Sequence, residues 1–116
     1  VAGSQFNLQE KAPDGMCWFQ TWDTEKGKWM NAALVPRPQP GQFNDVSMRV
    51  HINDDGTYTY SPLVYNGKTY DLQNNTFNMK SSNWTRNQVV VQIQEDAGSH
   101  GGPVDEQYRN MTLQAK

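Results

Sequence analysis

A chain of 116 residues with 10 Lys and Arg against 12 Asp and Glu has room for one domain, expected over 1–116. Its basic residues are scattered singly, so it offers no concentrated positive face for nucleic acid, and no apolar run approaches the ~20 residues of a membrane span. Charged residues make up 19% and aromatics 11%; Asn and Gln, about a fifth of the chain, fill the gap with neutral hydrogen-bonding surface.

In chain order, residues 1–12 are polar and without a clear pattern, and read as a loose lead-in or an edge strand. From Met16 onward the punctuation is that of a β protein: short runs broken by turn residues about every ten positions. Met16–Trp22 runs into Asp23-Thr24-Glu25-Lys26-Gly27, a hairpin loop, and Lys28–Val35 returns. Pro36, Pro38 and Pro40 lack backbone donors and make the next stretch strand-free. Val46–Ile52 alternates, with Val46, Met48, Val50 and Ile52 on one face. Asn53-Asp54-Asp55-Gly56 is a turn before Thr57–Tyr60. Asn66-Gly67 joins Leu63–Tyr65 to Lys68–Leu72, since both residues tolerate the positive φ of a tight hairpin turn. Asn87–Gln94 carries Val89, Val91 and Ile93 on one face of a further strand. Residues 104–115 fit a strand or a helix beginning after Pro103, and the all-β context favours the strand. The expected fold is an all-β antiparallel sandwich, jelly-roll-like, of about eight short strands.

Three tryptophans fall within twelve residues of the first hairpin. Strand alternation puts Trp18, Gln20 and Trp22 on one face and Cys17, Phe19 and Thr21 on the other. Cys17 and Phe19 suit a core, which would turn the indoles outward. Indoles on an open sheet face form an apolar platform on which the C–H faces of sugar rings stack, with amides satisfying the hydroxyls. The opposite arrangement, with the tryptophans in the core, is also open, because large aromatics are mostly buried. The candidate ligand site is Trp18, Gln20, Trp22, Trp29, Asn31 and the loop residue His100. Around His100, Glu95, Asp96, Asp105 and Glu106 are candidate calcium ligands, since hard cations take clustered oxygens, although their spacing matches no known calcium loop. Asp54 and Asp55 read as turn formers.

Catalytic groups are sparse. His51 sits on the polar face of a strand, and His100 lies among glycines with nothing to fix its tautomer. Cys17, the only cysteine, excludes an intrachain disulfide and reads as a small hydrophobe beside Trp18 and Phe19. Glu10, Glu25, Glu95, Asp96 and Glu106 fall mostly in turns, where little desolvation would raise an acid's pKa. The expectation is therefore a non-catalytic binding domain, with a small hydrolase as the last alternative and no cofactor unless calcium. Asn74, Asn83 and Asn110 begin Asn-x-Thr triplets, of which a chain this rich in Asn and Thr gives one or two by chance.

Tyr108, Asn110, Met111, Thr112 and Leu113 match the closing run of an aromatic, Asp-Asn, an apolar residue, Thr and Leu. In this they resemble the final strand of jelly-roll carbohydrate-binding modules. Arg109 stands where that run commonly carries Asp, which places a family-type calcium in doubt. The resemblance covers about a dozen residues and implies a strand and a glycan ligand, without assigning any binding residue. A glycan-binding domain at the cell surface or outside the cell is the first expectation. A viral, phage or bacterial attachment domain or an inhibitor, with a protein partner, is the second.

Overall fold

The computed structural model describes residues 2–78, which form nine strands in three antiparallel three-stranded sheets, with no helix among them. The first sheet is a meander of β1 (Ser4–Asn7), β2 (Met16–Asp23) and β3 (Lys28–Pro36). The second contains β4 (Val46–Ser47), β7 (Leu63–Tyr65) and β8 (Lys68–Tyr70), and the third β5 (Val50–Ile52), β6 (Thr57–Tyr60) and β9 (Thr76–Asn78). The strands expected over 87–94 and 104–115 lie outside the described residues.

Of the two readings of the N-terminal stretch, the edge strand is the one formed: β1 pairs along β2 from Ser4↔Thr21 to Asn7↔Trp18. Phe6 provides the reason. It packs against Phe19 and Tyr65, with ring centroids 5.2 and 5.1 Å away, so the strand has an apolar anchor inside a polar sequence. The β2–β3 loop is closed by Asp23, whose carboxylate accepts from the backbone N–H groups of Glu25 and Lys26, and Gly27 takes the positive φ of 64° at its end. Asn66 and Gly67, at φ 49° and 79°, make the tight β7–β8 turn that the sequence calls for.

The stretch Val46–Ile52 is not one strand. β4 pairs with β7 and β5 with β6, because the opposing chain is interrupted at Ser61-Pro62. Pro62 has no N–H to give; the Ser61 side chain instead accepts from the Arg49 N–H at 2.7 Å. The apolar face expected for this stretch is also largely unburied. Val46, Val50 and Ile52 lie on edge strands and stay exposed, Ile52 to 66%, and Met48 alone of the four packs against the core.

The core lies between the inner face of the first sheet and the other two. Cys17, Phe19 and Val35 meet Tyr58, Tyr60, Leu63, Tyr65 and Leu72. Residues 76–78, unmarked in the sequence, become β9 because Phe77 adds its ring beside Tyr58 and Tyr60. Two tyrosine hydroxyls bind the sheets together. Tyr58 Oη donates to the Trp22 carbonyl at 2.8 Å and accepts from the Thr24 N–H. Tyr60 Oη accepts from the Gly3 N–H at 2.8 Å and reaches the same carbonyl at 3.3 Å. Burial pushes the Tyr60 phenol up to about 12.

An aromatic and amide face on the first sheet

Cys17, Phe19 and Thr21 are buried on the inner face, which turns Trp18, Gln20 and Trp22 to the outer face. β3 supplies the other half through an irregularity. Phe19 pairs with Ala33 but Gln20 with Asn31, so Ala32 is an extra residue, a β-bulge. The bulge reverses the alternation along β3. Before it Trp29 and Asn31 stand beside Trp22 and Gln20; after it Leu34 stands beside Trp18 while Val35 enters the core. Five of the expected site residues therefore share the outer face, Trp18, Gln20 and Trp22 on β2 and Trp29 and Asn31 on β3.

The center of this face is an amide relay. Gln20 Oε1 accepts from Gln5 Nε2 at 2.7 Å and Asn7 Nδ2 at 3.1 Å, while its Nε2 donates to Asn31 Oδ1 at 2.8 Å. Gln20 is only 4% exposed, and its amide is committed to these neighbors. It therefore orients the amides around it, and half-buried Gln5, Asn7 and Asn31 are the groups nearer the surface. On one side of the relay the Trp22 and Trp29 rings meet edge to face at 5.1 Å, with Trp29 38% exposed. A Cβ on Gly3 would stand 3.6 Å from the far edge of the Trp29 ring, so that ring lies over the chain entering β1. On the other side, about 13 Å along the strand, half-buried Trp18 donates its indole N–H to the Lys11 carbonyl at 3.1 Å.

Trp18 also borders an open groove of about 330 Å³, lined further by Leu34, Ala32, Ala33, Tyr70, Asp71 and Gln73. Its far wall is fastened to the bulge. The Gln73 N–H donates to the Ala32 carbonyl at 2.9 Å, and the Gln73 and Asn74 side-chain amides donate to the Asn31 carbonyl at 3.2 and 2.6 Å. Asn74, the first Asn-x-Thr asparagine, is thus engaged through its side-chain nitrogen. Thr21 Oγ1 completes the anchor with a 2.9 Å bond to the Asn74 carbonyl.

Sequence reasoning missed Gln5, Asn7, Tyr70, Asp71 and Gln73. The alternation in Ser4-Gln5-Phe6-Asn7 was a signal for the first two; the others arrive only through long-range packing. His100 and the acidic residues Glu95, Asp96, Asp105 and Glu106 lie outside the described residues, as do Asn83 and Asn110. Cys17 is 1% exposed, and burial pushes its thiol up, away from the reactive thiolate. Asp55 accepts from the Thr57 hydroxyl and N–H within its turn, which lowers its pKa. His51 is exposed on edge strand β5. Among the described residues no group of three or more His, Cys, Asp or Glu is placed to hold a metal, and no helix is long and apolar enough to cross a membrane. No protein family, curated protein or solved structure matches the chain.

Proposed function

We propose that this chain is a non-catalytic carbohydrate-binding domain acting at the cell surface or outside the cell, with the outer face of the first sheet as its ligand surface. One observation carries the reading: two aromatic stations, Trp18 and the Trp22–Trp29 pair, flank a hydrogen-bonded amide relay on one face of an antiparallel sheet. Rings and amides held in this way suit a ligand with alternating apolar C–H faces and hydroxyls, and the sheet holds them with little ordering left to do on binding. We propose likewise that the fold is a jelly-roll-like β-sandwich, a reading supported by three antiparallel sheets around one core.

Titrating the chain with a polysaccharide panel while following tryptophan fluorescence tests the function. The expected result is a saturable change that Trp29→Ala or Trp18→Ala removes while circular dichroism stays unchanged. A chain that responds to no glycan refutes it.

A second reading, attachment to a protein partner, has its own observation in the exposed row Val46, Val50 and Ile52 on edge strands β4 and β5. There Ile52→Lys would abolish partner binding and leave any sugar response intact.

A further inference from the structure

The groove beside Trp18 lies at one end of the proposed glycan surface, and its chemistry differs from that of the rest. Trp18 and Leu34, cross-strand partners on β2 and β3, give it an apolar side, and Tyr70 adds a second ring. Asp71 and Gln73 supply polar groups to the same groove. The Asp71 side chain is exposed, and among the described residues none engages its acceptor oxygens in a hydrogen bond or ion pair. Its backbone is nonetheless held in place. Leu72 beside it is buried in the core, and Gln73 and Asn74 are bound to the carbonyls that the β-bulge presents. A carboxylate that no described residue engages, on an anchored segment that shares a groove with an indole, is an arrangement that can recognize paired hydroxyls on a ring with an apolar face.

We infer that this groove is a subsite for one ring of a neutral glycan, in which Trp18 stacks on the ring and Asp71 accepts hydrogen bonds from its hydroxyls. The inference rests on the carbohydrate-binding reading and adds to it a specificity: the Asp71 charge repels a carboxylated sugar such as a uronic acid. The groove volume of about 330 Å³ falls at the small end of the ~300–1,000 Å³ range of ligand pockets, in keeping with a single ring and not a longer enclosed segment.

The test is isothermal titration of the full chain with cello-, manno-, xylo- and chito-tetraose and with tetragalacturonate, comparing the parent with Asp71→Asn and Trp29→Ala. The expected result is that at least one neutral tetrasaccharide binds, that Asp71→Asn weakens it about tenfold or more, and that tetragalacturonate binds at least about tenfold more weakly than the neutral ligand. Because Asp71 is exposed, the variant keeps its fold, which circular dichroism verifies. Neutral-sugar binding that Asp71→Asn leaves within about twofold while Trp29→Ala abolishes it would overturn the groove and leave the carbohydrate reading standing. Binding of tetragalacturonate as tight as that of the neutral sugars would overturn the charge selection. No binding by any of the five overturns both readings.

Discussion

Replacing Tyr60 by Phe tests how the outer face is held from behind. The ring remains in the core, so the change isolates one oxygen that accepts from the Gly3 N–H at 2.8 Å and reaches the Trp22 carbonyl at 3.3 Å. The carbonyl keeps its 2.8 Å bond from Tyr58, whereas the Gly3 N–H loses the acceptor it has there. Leaving one partly buried donor unmade costs about 1–3 kcal/mol, and the shorter bond makes about 2 kcal/mol the expected loss. Urea unfolding followed by circular dichroism measures it. The same hydroxyl predicts a pH effect. In the unfolded chain a tyrosine ionizes near pH 10, while burial holds folded Tyr60 protonated to about 12. The contribution is complete below pH 10 and is lost as pH rises toward 12, amounting to roughly 2–3 kcal/mol. Buried Tyr58 and Tyr65 are shifted upward too, so their contributions fall in the same direction. Tyr60→Phe should therefore show a shallower alkaline loss than the parent. A variant within about 0.5 kcal/mol of the parent at pH 7, with an unchanged alkaline slope, would refute the linkage between the sheets.

Two further outcomes follow from the packing. Deleting Ala32 turns the bulge into a regular ladder in which Asn31 still faces Gln20 and Val35 still faces Cys17 in the core, but it removes the carbonyl that accepts from the Gln73 N–H. Losing that hydrogen bond costs about 0.5–1.5 kcal/mol, so the urea midpoint should fall, and an unshifted midpoint would mean that the bulge does not anchor the Gln73 segment. Cys17 should resist an alkylating reagent in the native state and react on unfolding, because its thiol is buried and its pKa raised; rapid native labeling, read by mass spectrometry, contradicts its place in the core.

Local pattern was enough for several elements. The alternation Cys17-Trp18-Phe19-Gln20-Thr21-Trp22 specified which side of β2 faces inward, since a period of two leaves only two choices and Cys17 with Phe19 favors one. Asn66-Gly67 and Asn53–Gly56 marked their turns because positive φ is a property of single residues. Val46–Ile52 misled for a physical reason: its alternation is regular, but the interruption that divides it lies in the partner chain at Pro62.

The all-β character, the inward face of β2 and the tight turns were therefore settled by the chain's own residues, because each depends on neighbors a few positions apart. The bulge at Ala32 and the meeting of Trp18 with Tyr70, Asp71 and Gln73 were decided only on folding. They depend on which carbonyls and faces distant strands bring together, and Ala32-Ala33-Leu34-Val35 contains no local signal for the residue that will be set aside.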